Sequence, residues 1–301
     1  MRRRPAIALT AAAVVALSGV LTPGLLRSTA LPTTPGASPS EFRLTSPDNE
    51  IGGLSGIEVL NNGKRFLAVS DHGFLVSGEM ARDAHGRLTD LRITANEPVL
   101  KGNGKPILLG RLDGEGLAVS DTGRVIISAE HRNQILWLRP DRSPYHRESP
   151  PDAAELAPNR SYEALAVRPN GDVYTIGEGK LADGSLPVLW RFNGTEWSAV
   201  RRLPRDGGFL PVGADFGPDG AFYLLERGVG IGLRNRVRRF DPEVADSPLT
   251  LIWQDSSHPA TNFEGISVWE DTAGQVRITL ISDNNFWPLF KTVLYEFPLP
   301  S

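Results

Sequence analysis

Short runs of alternating apolar and polar residues, separated by turn residues, fill the chain from about residue 50 onward. Two such runs joined by a glycine-containing turn recur five times, at residues 54–72, 115–131, 163–179, 212–227 and 264–284. The turns include Asn62-Gly63, Asn170-Gly171 and Asp219-Gly220, which are typical of tight connections between antiparallel strands. The pattern therefore predicts five β-hairpins of one design.

The spacing of these hairpins indicates a repeat architecture. Their closing acids are Asp71, Glu130, Glu178, Glu226 and Asp283, which lie 59, 48, 48 and 57 residues apart. Further β-runs follow the hairpins at 134–138, 188–192, 196–200, 236–240 and 249–253. Four strands in a repeat of about fifty residues, without a helical stripe, are typical of propeller blades. We expect an all-β protein, a β-propeller of four-stranded blades.

The last repeat stops after its third strand, at residues 292–297. A β-run at 41–45 can supply the missing outer strand, and this N-terminal strand would close the ring by pairing the two ends of the chain, which removes an open sheet edge. The count is then five blades. Six blades would follow if residues 74–112 held a degenerate repeat.

The N-terminus has a different pattern. Arg2, Arg3 and Arg4 precede an apolar run from 5 to 20, and small residues at Ser28 and Ala30 suit a cleavage site. This layout predicts a secretory signal peptide over 1–30, with an uncleaved anchor as the alternative. Export by either the general or the twin-arginine route would place the protein in the periplasm or outside the cell. A Pro/Ser/Thr linker at 31–40 would lead into one propeller domain over 41–301.

Composition narrows the chemistry. The chain of 301 residues has no Cys, which excludes disulfides, thiolate metal sites and a Cys nucleophile. It has 32 basic and 35 acidic residues, and this near-neutral balance gives no reason to expect a nucleic-acid partner or, after signal cleavage, a membrane partner. We expect a monomer. The 31 glycines and 24 prolines suit an architecture with many tight turns.

Acidic residues should meet at one end of the propeller axis. The first strand of each blade lies nearest the axis, which explains the small residues there, and the next strand returns to the same end because it is antiparallel. The expected set is Asp71, Glu115, Glu130, Glu163, Glu178, Glu226, Glu264 and Asp283. Such a ring repels itself unless a cation joins it. Ca²⁺ is one candidate, since it prefers oxygen ligands. A network of salt bridges to neighbouring basic residues is the other.

Two histidines lie directly after closing acids. His72 follows Asp71 and His131 follows Glu130. Imidazole titrates near neutral pH, so either residue is a candidate for general acid–base catalysis. A polar residue at a surface turn would account for each of them equally.

The motifs at these positions resemble a known family. Residues 262–268 (Asn-Phe-Glu-Gly-Ile-Ser-Val) and 281–286 (Ile-Ser-Asp-Asn-Asn-Phe) resemble the closing motif of the phytase-like domain family, secreted bacterial β-propellers described as having "esterase-like activity of phytase". Residues 113–118 and 54–73 resemble its earlier motifs. The resemblance implies hydrolysis of phosphate esters with the aid of Ca²⁺ on an acid-lined face. The Asp-Ala-Ala-Asp-Asp-Pro-Ala type signature of propeller phytases is absent, which argues against phytase activity itself.

Two hypotheses follow. In the first, the protein is an exported, metal-dependent hydrolase of small-molecule phosphate esters or related esters, with Ca²⁺ held by Asp71, Glu115, Glu163, Glu264 and Asp283. In the second, it is a non-catalytic propeller that binds a ligand or an envelope partner, and Ca²⁺ is structural. Both hypotheses predict a metal, so only turnover of a substrate separates them.

Overall fold

Five antiparallel sheets make up the computed structural model of the chain. It describes residues 39–44, 51–108, 111–156, 160–179, 181, 183–204, 206–230, 232–255, 261–286 and 291–299. All of these belong to one compact unit, Leu31–Ser301. The predicted signal peptide 1–30 and most of the predicted linker lie outside the described residues. None of the helical structure in the described part is long and apolar enough to cross a membrane.

Within the described residues, twenty strands form five sheets of four strands each. Blade 1 contains β2 (Leu54–Leu60), β3 (Arg65–Ser70), β4 (Phe74–Arg82) and β5 (Leu88–Pro98). Blade 2 contains β6 (Gly114–Val119), β7 (Val125–Ala129), β8 (Gln134–Leu138) and β9 (Pro144–Glu148). Blade 3 contains β10 (Ala164–Val167), β11 (Val173–Ile176), β12 (Val188–Phe192) and β13 (Trp197–Arg202). Blade 4 contains β14 (Phe209–Phe216), β15 (Phe222–Gly230), β16 (Gly232–Phe240) and β17 (Thr250–Asp255).

Blade 5 closes the ring. It contains β18 (Asn262–Glu270), β19 (Val276–Asp283) and β20 (Val293–Pro298), and its outer strand is β1 (Ser40–Arg43), which pairs antiparallel with β20. The inner strands β2, β6, β10, β14 and β18 contact one another in cyclic order. The chain is therefore a five-bladed β-propeller closed by its N-terminal strand, as predicted. Residues 74–112 complete blade 1 with β4 and β5, so they hold no sixth blade.

The hydrophobic core is divided among the blade junctions. Each of five apolar clusters joins residues of two successive blades, and the cluster between blades 5 and 1 includes Phe66, Trp269 and Leu294. Alternate residues of a strand face opposite sides of its sheet. Because each blade packs on both sides, its middle strands are apolar on both faces, and β7 and β11 are buried along their whole length.

Glycines allow the inner strands to approach one another at the axis. A methyl group on Gly116 would lie 2.6 Å from Glu163 O, and one on Gly213 would lie 2.5 Å from Glu264 O. Gly56 and Gly265 are in the same position in blades 1 and 5. The inner strands leave a cavity of about 10 Å³ between them, room for about one water molecule. The axis itself therefore has no room for a larger molecule, which could bind along it only at one of its ends.

Polar side chains below these glycines tie inner strands together. The hydrogen bonds run from Val59 N to Ser267 Oγ (2.9 Å), from Val119 N to Glu58 Oε1 (3.1 Å) and from Val268 N to Asp215 Oδ2 (2.6 Å). Each bond crosses from one blade to the next and satisfies an amide on the inner edge of a sheet, which has no further strand to pair with. The three bonds span the junctions 4–5, 5–1 and 1–2, around the place where the two chain ends meet.

We expect Ser267→Ala to lower the free energy of unfolding by about 1–3 kcal/mol, because it leaves the buried Val59 N–H without an acceptor. Urea denaturation followed by fluorescence measures this change. The matched control is Ser198→Ala on the exposed face of β13, which should change stability by less than about 0.5 kcal/mol. Equal effects of the two substitutions would show that the axial bond contributes nothing specific.

Candidate functional site

The candidate site is the end of the axis where the inner strands begin and the second strands end, which we call the mouth. In blades 1, 2, 4 and 5, the inner strand carries a β-bulge next to its axial glycine. The residues before those glycines are Ser55, Glu115, Val212 and Glu264, and in blade 3 Glu163 comes directly before β10. A bulge leaves its residue out of the ladder and re-aims the side chain. Local bulges thus place Glu115 and Glu264 at the mouth, and Glu163 lies there because it directly precedes β10.

The second strands bring five more residues to the mouth. Equivalent ladder positions at their ends hold Asp71, Glu130, Glu178, Arg227 and Asp283. In blade 5, for example, Asp283 pairs with Asn262, and in blade 2 the amide of Glu130 donates to Asp113 O at 2.8 Å. Four of these five residues are predicted mouth acids.

The prediction for blade 4 is wrong by one residue. Glu226 pairs with Pro211, whereas Arg227 has the position that an acid has in the other blades. Because successive side chains of a strand point to opposite faces, this shift of one residue turns Glu226 away from the mouth. Its carboxylate is buried instead between the guanidinium groups of Arg236 and Arg238.

One acid of the mouth is missed by the sequence pattern. Asp113 precedes β6 with φ +53°, the left-handed region that Asp tolerates better than most residues. Oxygens of Asp113, Glu115 and Glu130 all lie within 4.8 Å of one another. The Asp-Gly step at 113–114 is the only signal in the sequence that could have indicated this backbone conformation.

The mouth carboxyl groups hold protons more tightly than free carboxyl groups do. Burial raises the pKa of Glu115 well above its usual value, and the carboxylates of Glu264, Asp113, Glu130 and Asp71 raise it further. Burial followed by repulsion from Glu178 and Glu115 likewise raises the pKa of Glu163. Both pKa values rise because the charged form of each carboxyl group is destabilised by the loss of water and by neighbouring negative charges.

The same effects act at the mouth's outer positions. Burial and repulsion from Glu264 raise the pKa of Asp283 to about 8. Burial and repulsion from Asp113 raise the pKa of Glu130 to about 7. For Asp71, burial raises the pKa to about 6, although His72 opposes the shift.

Two arginines neutralise one side of the mouth. Arg227 donates to Glu264 Oε1, to Asn262 Oδ1 and, at 3.1 Å, to Glu178 Oε1. Arg160 donates to the other oxygen of Glu178 at 2.9 Å. We call Glu178 and Glu264 the paired acids. Glu163 forms no ion pair among the described residues, although Arg227 attracts its carboxylate.

We call Asp71, Asp113, Glu115, Glu130 and Asp283 the open acids. In the part of the chain that the structure describes, none of the five forms an ion pair with Lys or Arg. The predicted ligand set is thus brought to one mouth, but its members differ in their basic partners. Asp71, Glu115 and Asp283 are open acids, Glu264 is a paired acid, and Glu163 is attracted by Arg227 without an ion pair. The site with the strongest need for an added cation lies on the side of blades 1 and 2.

His72 stands at the edge of the open acids. Its ring stacks on Phe286 with centroids 3.8 Å apart and planes 11° apart, and its Nε2 lies 4.0 Å from Asp71 Oδ1. Asn285 and Phe286 have φ of +47° and +52°, and such backbone strain is typical of functional sites. Asn284 fixes this turn by accepting from Gly53 N at 3.0 Å and from Phe286 N at 3.1 Å.

His131 is placed differently. It lies in a short 3₁₀ helix, Glu130–Arg132, and is exposed. Its amide approaches Leu112 O at 3.5 Å. Of the two predicted histidines, His72 is therefore the one whose side chain is fixed beside a mouth carboxylate.

Fold and site together define a five-bladed propeller with an acidic mouth at one end of a filled axis. The chain belongs to the phytase-like family, described as "esterase-like activity of phytase", whose model matches residues 49–286. No curated protein matches the chain.

Solved structures resemble the chain at low sequence identity. The α-L-arabinofuranosidase PaAbf62A of Podospora anserina is 12% identical, with a TM-score of 0.51, and the match covers 86% of this chain and 95% of that one. A gluconolactonase of Xanthomonas campestris is 14% identical over 90% and 99% of the two chains, with a TM-score of 0.45. Virginiamycin B lyase of Staphylococcus aureus is 17% identical over 88% and 75%, with a TM-score of 0.40. The match to PaAbf62A supports the fold alone and says nothing of the activity of this chain.

Proposed function

We propose that the open acids bind Ca²⁺ and that the mouth hydrolyses phosphate esters or related esters of small molecules. The observation that carries the proposal is the convergence of Asp113, Glu115 and Glu130, whose oxygens lie within 4.8 Å of one another without a basic partner among the described residues. Ca²⁺ takes oxygen ligands at 2.3–2.6 Å, so ligands on opposite sides of one ion are about 5 Å apart. The donor set and its spacing fit this cation.

The charge of the mouth explains why a phosphate ester would need the metal. Five carboxylates without basic partners repel an anionic substrate, so the unloaded mouth opposes binding. A bound Ca²⁺ would supply positive charge that orients and polarises a phosphoryl or carbonyl oxygen. It would also activate water. Asp113, Glu115 and Glu130 would hold the ion, with Asp71 of blade 1 near Glu115 and Asp283 of blade 5 near Asp71.

The chain's own residues supply the other functions. The His72 imidazole is 42% exposed, so it can reach a bound ester and exchange a proton with it. Stacking on Phe286 fixes the ring plane, and Asp71 Oδ1 lies 4.0 Å from Nε2. The filled axis excludes water from below. We also propose that the protein works outside the cytoplasm, as its N-terminal pattern predicts, where calcium modules bind with Kd of about 10⁻⁴–10⁻³ M.

Turnover of p-nitrophenyl phosphate, p-nitrophenyl acetate and phytate with Ca²⁺ tests the proposal. We expect hydrolysis of at least one ester, loss of activity with a chelator and recovery with Ca²⁺. Glu115→Gln removes a charged ligand without changing the shape of the side chain. It should lower kcat/KM by at least roughly 10- to 100-fold, the usual effect of disturbing a metal site. The matched control is Glu79→Gln on the outer surface of blade 1, which should keep full activity.

The outcomes separate the two hypotheses. Ca²⁺ binding by a folded wild-type chain that turns over none of the esters would favour the non-catalytic propeller. Activity that survives the chelator would contradict the metal-dependent mechanism. Far-UV circular dichroism of Glu115→Gln ensures that any loss of activity is not a loss of fold.

A further inference from the structure

Arg227 breaks the pattern of the five blades at the mouth. Its ladder position holds Asp71, Glu130, Glu178 and Asp283 in the other blades, so a cation stands where the repeat otherwise supplies a carboxylate. The guanidinium is largely buried, with 16% of the side chain exposed. A buried arginine at an otherwise acidic position needs carboxylate partners, and it has them on both neighbouring blades.

The partners of Arg227 form a set that would suit a metal ion. The guanidinium donates to Glu264 of blade 5 and Glu178 of blade 3, and it also attracts the carboxylate of Glu163. Asn262 adds an amide oxygen to the same group. Three carboxylates and one amide oxygen around one positive charge are the ligand types that Ca²⁺ binds.

A second observation lies beside these acids. Asn235 pairs with Arg227 in the ladder, so the two side chains share one face of blade 4. Asn235 is 1% exposed, and its amide donates to Thr261 O at 3.2 Å, but its Oδ1 has no hydrogen-bond partner. Buried polar atoms without partners are rare in folded proteins. This buried acceptor, on the same face of blade 4 as Arg227, is a further candidate oxygen ligand.

We infer that Arg227 is a built-in substitute for a metal ion and that the paired acids, together with Glu163, form a second, latent Ca²⁺ site, closed by the guanidinium. The wild-type chain then takes its added cation at the open acids only. The inference rests on the proposed function in one respect, namely that Ca²⁺ is the cation that the mouth accepts. It adds that a single residue sets how many ions the mouth holds.

The test counts Ca²⁺ ions per chain by isothermal titration calorimetry and native mass spectrometry. We expect Arg227→Gln to bind one more Ca²⁺ than the wild-type chain. Arg227→Lys keeps the charge and should bind the wild-type number. The matched control is Arg160→Gln, which removes an arginine from the same carboxylate, Glu178, but from a side chain that is 39% exposed. It should not add an ion. Glu264→Gln combined with Arg227→Gln should return the count to the wild-type number.

Each outcome decides the inference. An Arg227→Gln chain that is folded and binds the wild-type number of ions overturns it. If this chain is unfolded without metal, Ca²⁺ must restore the fold, and failure to fold at any Ca²⁺ concentration also overturns it. The wild-type titration reports separately on the proposed function. A wild-type chain that binds no Ca²⁺, together with an Arg227→Gln chain that binds one, would refute the proposed function and support the latent site.

Discussion

Replacing Glu226 by alanine should lower the free energy of unfolding by about 3–5 kcal/mol, one of the largest single effects that we expect in this chain. The carboxylate is 2% exposed and accepts from Arg236 Nε at 2.7 Å and from Arg238 Nη2 at 2.6 Å. Both arginines are almost fully buried as well. Removing the acid leaves two buried positive charges whose only other described carboxylate partner is the exposed Asp206, bound to Arg236.

Urea denaturation of Glu226→Ala measures this loss. Glu79→Ala is the matched control, because its pair with Arg92 is similarly short but lies on the surface, where ion pairs contribute about 0–1 kcal/mol. If the alanine variant does not fold, Glu226→Gln can be measured instead, because it keeps the volume of the side chain and removes only its charge. A loss below about 1 kcal/mol in both Glu226 variants would mean that the arginines reach other partners or water.

The metal-free protein should become less stable as the pH rises from about 4 to about 8. The folded chain raises the pKa of Asp71 to about 6, of Glu130 to about 7 and of Asp283 to about 8, whereas carboxyl groups of an unfolded chain titrate near 4. Between these limits the folded state binds more protons than the unfolded state does. The free energy of unfolding therefore falls as the pH rises, and it levels off above about 8. We expect Tm in a chelator to drop by about 5–10 °C over this range.

Calcium should reverse this trend. Because Ca²⁺ competes with protons for the same carboxylates, its stabilising effect should grow with pH, and its binding at pH 7 should release protons. Calorimetry in buffers of different ionisation enthalpy counts those protons. Asp283→Asn is the informative variant, since an amide keeps the acceptor for Asn285 N and removes a titrating group. It should flatten the fall between pH 7 and 8. If the free energy of unfolding in the presence of a chelator increased with pH, this account of the mouth would be contradicted.

The fold is predictable from local features. Tight turns such as Asn62-Gly63 and the fifty-residue spacing of hairpins need no long-range information, and they lead directly to four-stranded blades. The closure of the ring is also predictable, because the last blade lacks its outer strand and the N-terminal strand has no other blade to join. The two therefore pair. The inner acids Glu115, Glu163 and Glu264 are also identifiable, since each directly precedes a small axial residue.

The mouth is less predictable because it depends on register. The bulge between Pro211 and Gly213 decides that Arg227, and not Glu226, reaches the mouth, and no turn residue in the sequence announces it. Asp113 reaches the mouth because of its left-handed backbone conformation, and it is not one of the acids that recur in each repeat of the sequence. The division into paired and open acids depends on how far two arginine side chains reach across blade junctions, which only the folded ring defines.

The pairing of β1 with β20 also affects the order in which the chain can fold. Phe42 and Leu294 are partners in this ladder, although 252 residues of chain separate them. Contacts between such distant segments form late and slow folding. A chain with four completed blades leaves apolar faces of blades 1 and 4 uncovered, because blade 5 packs on both of them, and such surfaces can associate with other chains. The pairing of β1 with β20 completes blade 5 and, with it, the covering of these faces.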